Sequence, residues 1–288
     1  MKKSRITLFS LLIFCFAVIG AYSQQPSAVV KTDLNQAEID NIIKKFSENE
    51  FNFRQALTIY AFNRDAQVQS IGLGGQATGV FTRNSYMTFK EDGTRFEKIL
   101  YAPISTLKGL EVSPEDIDNL SGVNPFAIEP KYVSQYNFTL VGKERIDELD
   151  LYVFDVTPKV LPNPKKTNQK FFTGRIWVDD RDLMIVKSKG KAVPEGKDMN
   201  GMDQRFPVVE TWRNSVDGKY WFPVLSIADD ELVFSSGDVV RLKMRVKYFN
   251  YRVGKTEVKI GDDEVEVKDE PAPSTRPTPT PAATPKKP

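Results

Sequence analysis

The fold is decided by a segment near the end of the chain, residues 239–253, which reads VVRLKMRVKYFNYRV. Its apolar residues, among them Leu242 and Met244, alternate with basic residues, among them Arg241 and Lys243. A period of two is typical of a β-strand, and alternation of apolar with charged side chains indicates an antiparallel sheet with one face in water. This segment therefore predicts a β-protein.

Similar strand patterns extend back to about residue 55 and are separated by turn-forming residues, such as the glycine-rich stretch 72–75. Because the strands are regularly spaced and helical patterns are few, a parallel α/β enzyme fold is excluded. We predict a mainly β fold, an incomplete antiparallel β-barrel of about eleven strands covered by about two or three short helices. The expected strands are residues 55–63, 66–73, 77–82, 84–90, 136–145, 150–158, 174–179, 184–192, 208–213, 220–227, 231–234 and 239–253.

An amphipathic helix is predicted before the first strand, over residues 36–50. Ile39, Ile42 and Phe46 recur there at helical spacing. A second short helix is predicted over residues 114–120, where proline stands in the first turn and acidic residues follow. Both helices are expected to lie over the sheet as a lid.

The two ends of the chain differ from its body. Residues 1–23 combine three cations, an apolar run and small residues before the cleavage position, which predicts a signal peptide removed after Ser23 and export of the rest. The apolar run is shorter than the roughly 20 residues that a membrane-spanning helix needs. Residues 24–270 are predicted to form a single domain. Residues 271–288 contain seven prolines and no large apolar side chain, which predicts a disordered tail.

The alternative for the leader is lipidation of Cys15, the single cysteine of the chain. The three residues before it, 12–14, are large and apolar, whereas a lipidated cysteine follows small residues. The protein cleaved after Ser23 would contain no cysteine, and the whole chain contains no histidine. It would have no disulfide and no thiol chemistry, and it lacks the commonest general base.

Charge and motifs argue against several classes of function. The formal charge is +2, but six cations lie in the leader and the tail, so the body is mildly acidic and a nucleic-acid partner is not expected. The glycines of residues 72–75 precede no helix and are interpreted as a turn. Asp179, Asp180 and Asp182 offer carboxylates that could suit calcium, but solvated turn residues are the favoured interpretation. We predict no enzyme, no cofactor and no metal.

Three segments resemble one known family. They are FTLVGKERI (138–146), LYVFDVTPK (151–159) and GRIWVD (174–179), which are similar to the central signature of the LolA-like outer-membrane lipoprotein-sorting proteins. The resemblance implies an incomplete barrel, lined by apolar side chains and closed by helices, that carries lipids or lipid-modified proteins across the periplasm. An arginine locks the lid in that family, and Arg54, Arg64 and Arg83 are candidates here, with no motif to choose among them.

The implied function is a monomeric periplasmic carrier that binds lipid acyl chains, those of lipoproteins in particular, for transfer toward the outer membrane. Its partners would be those acyl chains and, transiently, membrane-bound donor or acceptor proteins. The alternative is a non-enzymatic cell-envelope scaffold protein whose barrel is filled by its own core. Residues 57–62 and 151–154 are apolar on both faces, which suits either a packed core or a cavity. The expected cavity lining is Leu57, Ile59, Phe81, Phe89, Val153, Trp177 and Leu225.

Overall fold

The computed structural model describes residues 28–89, 94–112, 116, 128–253, 256–260 and 265–269. The predicted signal peptide, the predicted tail and all but one residue of the predicted helix 114–120 lie outside these residues. The described helices are α1 (Gln36–Leu57) and α2 (Pro130–Val133). The described strands are β1 (Tyr60–Ile71), β2 (Ala77–Phe89), β3 (Arg95–Tyr101), β4 (Tyr136–Ile146), β5 (Leu149–Pro158), β6 (Phe171–Asp179), β7 (Ile185–Val193), β8 (Gly196–Lys197), β9 (Asp203–Gln204), β10 (Val209–Val216), β11 (Tyr220–Val233), β12 (Val239–Val253), β13 (Thr256–Ile260) and β14 (Val265–Asp269).

Ten of the strands form one antiparallel sheet in the order β3-β2-β1-β12-β11-β10-β7-β6-β5-β4. The sheet does not close, so β3 and β4 are its edges. β8 with β9, and β13 with β14, form two small separate hairpins. The predicted mainly β fold with an incomplete antiparallel barrel is confirmed. Among the described residues, no helix has the length and apolar character needed to span a membrane.

The covering helix is longer than the sequence predicts. Asn35 caps α1 through a capping box with Glu38, as its position before the helix suggests. The helix then continues past residue 50 because Phe53, Ala56 and Leu57 extend its apolar stripe and are buried. The predicted strand at 55–63 is therefore wrong for its first residues, and β1 begins at Tyr60.

Two predicted strand breaks are also wrong. β1 runs through Arg64 and Asp65, and β2 runs through Arg83, although the predicted strands left gaps at both places. Arg64 is accommodated because its side chain forms an ion pair with Glu97 on β3, a strand that was not predicted from the sequence. The turn at residues 72–75 connects β1 to β2 as expected.

The sheet has two differently covered faces. On the face that α1 crosses, here called the α1 face, one apolar cluster joins the C-terminal half of α1 to β1, β2, β11 and β12. A second cluster joins the N-terminal half of α1 to β4, β5, β6 and β7. Side chains of alternate strand residues point to the opposite, outer face, where Leu151, Val153, Trp177 and Val186 form a third cluster.

Candidate functional site

A groove lies between the start of α1 and the edge strand β4. Its volume is about 740 Å³, within the range of roughly 300–1,000 Å³ that is usual for small-molecule sites. The N-cap turn of α1 forms one wall, and the middle of β4 forms the other. The lining residues are Thr32, Asp33, Leu34, Asn35, Gln36, Glu38, Ile39, Phe138, Thr139 and Leu140.

The apolar part of this lining is continuous with the protein core. Leu34, Ile39, Phe138 and Leu140 all pack against the second cluster, which contains Phe46 of α1. The ring of Phe46 is fully buried and meets the ring of Phe138 edge-on at a centroid distance of 5.7 Å. An apolar chain in the groove would therefore approach the core side chains beneath α1 directly.

The polar part of the lining is negative. Asp33 and Glu38 are its charged residues, and Glu38 is held in the capping box, where its carboxylate accepts a hydrogen bond from the Asn35 backbone N–H. Acids at the N-terminal end of a helix are favourably placed relative to the helix dipole. The groove is open, and more of its lining is polar than apolar: an apolar floor lies below a polar rim that carries both acids.

The N-terminal segment pairs with β4 beside the groove. The backbone N–H groups of Val30 and Lys143 each donate a hydrogen bond to the other residue's carbonyl, at 2.7 Å. Gly142 allows this approach because its φ is +150° and a Cβ there would lie 2.2 Å from the Val30 carbonyl oxygen. The Lys143 ammonium donates to Asp180, which raises the pKa of Lys143, so this side chain is cationic at neutral pH.

The two halves of α1 are held differently. Its C-terminal half is anchored by polar contacts: Asn49 donates to the carbonyls of residues 182 and 183, Glu50 pairs with Arg213 on β10, and Arg54 pairs with Glu129 at 2.9 Å. Within the described chain, the hydrogen bonds and ion pairs between α1 and other elements begin at Asn49. The N-terminal half is held by apolar contacts through Ile42, Ile43 and Phe46.

The three arginine candidates for a lid lock occupy different places. Arg54 lies on α1 and joins it to the buried carboxylate of Glu129, next to α2. Arg64 and Arg83 both bind Glu97 within the sheet. Arg54 is therefore the candidate that connects the helix to another element.

The structure does not bring the seven predicted lining residues together. Leu57 lies on α1 rather than on a strand and is buried in the first cluster. Phe81 packs against the same cluster. Ile59 is exposed between α1 and β1. Phe89 ends β2, and its side chain lies outside what the structure describes.

The remaining three lie on the outer face. Val153 and Trp177 belong to the third cluster. Leu225 is paired with Trp212 and Lys247, which places it on the outer face as well. The seven residues thus do not line a single surface, and acyl-chain binding by any of them stays a prediction.

The acidic turn after β6 is occupied by protein contacts. Asp180 binds Lys143, and the Asp182 carboxylate accepts a hydrogen bond from Trp221 Nε1 at 2.9 Å. Among the described residues, no group of three or more acids, histidines or cysteines is placed to hold a metal ion. Burial raises the pKa of Asp179, and the neighbouring Asp182 adds to the effect.

The groove residues were not predicted from the sequence as ligand-binding. Ile39 was assigned to the helix stripe, and Phe138 and Leu140 were part of the family resemblance. No local sequence pattern places the start of α1 beside β4, because their proximity depends on how α1 crosses the sheet.

Comparisons with solved structures give likenesses at low identity. A DUF1329 family protein from Desulfovibrio piger is 15% identical over 76% of this chain and 95% of that one, with a TM-score of 0.35. A LolA superfamily protein from Nitrosomonas europaea is 14% identical over 77% of this chain and 94% of that one, with a TM-score of 0.33. A domain from Vibrio parahaemolyticus, named for outer membrane lipoprotein sorting, is 12% identical over 72% and 91%, with a TM-score of 0.32.

The LolA superfamily is thus among the structural neighbours, as the sequence resemblance predicts. The open sheet with its covering helix is the architecture that the sequence resemblance implies. Likenesses with TM-scores this low carry no argument. No protein-family model matches the chain, and no curated protein matches it.

Proposed function

We propose that the protein is an exported, non-enzymatic carrier that binds lipid acyl chains, those of lipoproteins in particular, for transfer toward the outer membrane. The observation that carries this proposal is the groove at the start of α1, whose apolar floor is continuous with the second cluster. The periplasm is the proposed location. Donor and acceptor proteins in the membranes are the proposed transient partners of a monomer.

The proposed mechanism is a partial lifting of α1. The C-terminal half stays fixed by the ion pairs of Glu50 and Arg54, while the N-terminal half exchanges its contacts on β4 and β5 for contacts with an acyl chain. Each buried methylene contributes about 0.8 kcal/mol. The helix and the acyl chain therefore compete for the same apolar surface, and the acyl chain shifts the population toward the lifted state.

Titration with a fluorescent fatty acid and with an acylated peptide tests this proposal. Ile39→Asp places a charge in the groove and is expected to weaken binding at least tenfold, whereas Ile227→Asp on the outer face is the matched control and should bind normally. Equal affinities for the two variants, with equal thermal stability, would place the ligand elsewhere. Absence of binding by the delipidated parent protein would overturn the proposal.

Native mass spectrometry of protein purified from its own envelope without detergent identifies the cargo class. A stoichiometric lipid or acylated peptide would support the carrier role. Protein that stays bare after incubation with native membranes would favour the second candidate.

The second candidate is an envelope scaffold protein with a filled barrel. The observation that favours it is the tight packing beneath α1, where Phe46, Leu57 and Phe154 are each at most 1% exposed. A permanently seated α1 would leave the outer face and the edges as binding surfaces. Cysteine cross-linking of the N-terminal half of α1 to β5 would leave such a scaffold functional but would abolish acyl-chain binding by a carrier.

A further inference from the structure

The two ends of the ten-stranded sheet carry different side chains. The β1–β2 and β11–β12 turns lie at the same end of the sheet, because β1 and β12 are antiparallel and the last residue of β1, Ile71, pairs with Arg241 near the start of β12. The β5–β6 connection and the segment that joins β7 to β10, which includes the β8–β9 hairpin, lie at that end too. We call this end the apolar edge.

Eight of the seventeen large apolar side chains that the described chain exposes lie at the apolar edge. They are distributed over separate connections rather than forming one flat patch: Leu73, Val160, Met202, Val233 and Val239 come from four different segments. Leu73 stands between glycines at the tip of its turn and is fully exposed. The described connections at the opposite end expose one such side chain, Ile59.

The two ends also differ in charge, although the β11–β12 turn at the apolar edge carries one exposed acid, Asp238. Residues 159–170, which carry Val160, contain four lysines and no acid, and Lys159, Lys165 and Lys166 are exposed. The acids of the neighbouring segment 194–208 are engaged within the protein: Glu195 with Lys191, Asp203 with Arg205, and Asp198 with backbone N–H groups. The opposite end has exposed acids in its turns, among them Asp147, Glu148, Asp182 and Asp217.

We propose that the apolar edge docks onto a lipid bilayer that contains anionic phospholipid, with its aliphatic loop tips in the interfacial layer and the lysines of residues 159–170 on the phosphates. Isolated apolar side chains on protruding tips suit a fluid apolar layer, whereas a protein partner needs a continuous complementary surface. Lysine stems lie along apolar surface while their ammonium groups reach the phosphates. The acidic opposite end faces away from the negative membrane.

This inference does not depend on the proposed acyl-chain binding, because the groove does not contribute to the apolar edge. Co-sedimentation with lipid vesicles tests the inference directly. The full sequence is expressed, and the protein is purified in the form that the cells produce. One set of vesicles contains phosphatidylethanolamine and phosphatidylglycerol, and the other contains phosphatidylcholine alone. The protein is expected to bind the first set and to bind the second weakly.

Matched variants then separate the two ends. Leu73→Asp is expected to lower partitioning into the anionic vesicles by about tenfold, and Lys165→Glu by at least about fivefold. The controls at the opposite end, Ile59→Asp and Arg181→Glu, should leave partitioning unchanged. All four side chains are exposed, so folding is not at risk. Equal losses at both ends, or no vesicle binding by the parent protein, would overturn the proposal.

An environment-sensitive fluorophore gives a second readout. In a Cys15→Ser background, the label on Leu73→Cys should shift to the blue when anionic vesicles are added, while the label on Ile59→Cys should not. A shift at residue 59 alone would mean that the protein docks through its other end, which contradicts the proposal.

Discussion

A buried ion-pair cluster connects the first three strands through single residues. The Arg64 side chain is 1% exposed and reaches Glu97 on β3 at 2.5 Å, and Arg83 on β2 donates to the same carboxylate at 2.8 and 2.9 Å. Burial alone would raise the pKa of Glu97. Hydrogen bonds from Arg83 and Ser85 and the charge of Arg64 outweigh burial and hold that pKa below its usual value.

Glu97→Gln is therefore expected to destabilise the protein by about 3 kcal/mol at neutral pH, because the buried Arg64 loses its ion pair with the Glu97 carboxylate. The lowered pKa of Glu97 means that its contribution is present above the ordinary carboxyl pKa of 4.5 and is lost as pH falls through the lower folded-state value. Urea unfolding at neutral pH and below pH 4.5 measures both effects, and the variant should lack this acid dependence.

The control is Asp150→Asn, which breaks an exposed pair with Arg145 and should cost less than about 1 kcal/mol. If Glu97→Gln costs no more than this control, the cluster does not hold the edge of the sheet together.

Asp179 has the opposite pH dependence. It is 3% exposed, its Oδ1 has no hydrogen-bond partner within the described chain, and burial raises its pKa above the ordinary 3.8. Its contribution to stability is thus full below pH 3.8 and is lost as pH rises through the higher folded-state pKa.

Asp179→Asn removes the buried charge and is expected to leave stability at neutral pH unchanged or higher. The variant should also lack the gain in stability that the parent shows on acidification toward pH 3.8. Thermal unfolding across this range measures the difference. A loss of more than about 1 kcal/mol at neutral pH would show that the ionised carboxylate is needed for its hydrogen bond from the Asp182 backbone N–H.

At the scale of elements, α1 combines an anchored half with a half held by apolar contacts alone. Amide hydrogen exchange is expected to be faster over residues 39–47 than over residues 50–57, because local opening follows the weaker set of contacts. Arg213→Met removes the partner of Glu50 and should bring the two rates closer together. Uniform exchange along α1 in the parent protein would rule out the proposed lifting of one half.

Strand elements were predicted well where alternation is clean. β12 matches the predicted range in full, because apolar and basic residues alternate strictly from Val240 to Tyr248. β1 and β2 were each predicted as two strands, with gaps at residues 64–65 and at residue 83, whereas tertiary ion pairs accommodate Arg64 and Arg83 inside continuous strands. The end of α1 was misjudged because residues 57–62 are apolar on both faces and fit either a helical or a strand period.

The candidate site was less predictable than the fold. Its groove depends on how α1 crosses β4, and its apolar floor on contacts such as that between Phe46 and Phe138, which are far apart in sequence. Residue type alone could not assign Val153 and Phe154 to their faces either, because both are buried. The face of each became clear only from the helix that packs on one side.

At the scale of the whole molecule, the sheet has a seam. β7 and β10 pair over only four residues, from Val209 to Trp212 on β10, whereas β1 and β12 pair along almost their whole length. The seam divides the sheet into β3-β2-β1-β12-β11-β10 and β7-β6-β5-β4. α1 spans it, since Phe53 and Leu57 pack on the first part and Ile42 and Phe46 on the second.

Phe46→Ala is therefore expected to do more than lower stability by about 3–5 kcal/mol, the usual cost of such a truncation in a core. It should also uncouple the two parts of the sheet, because α1 loses the ring that packs against Phe138 on β4 and Phe154 on β5. Hydrogen exchange at increasing urea measures this directly. In the parent protein, amides of β5 and β12 should become exposed together, whereas in the variant those of β5 should open at lower urea.

Phe249→Ala, at a partly exposed position on β12, is the control that should keep the two parts coupled. If β5 and β12 open at the same urea concentration in Phe46→Ala, the four-residue pairing between β7 and β10 suffices to couple the two parts of the sheet. In that case α1 covers the sheet without joining its two parts.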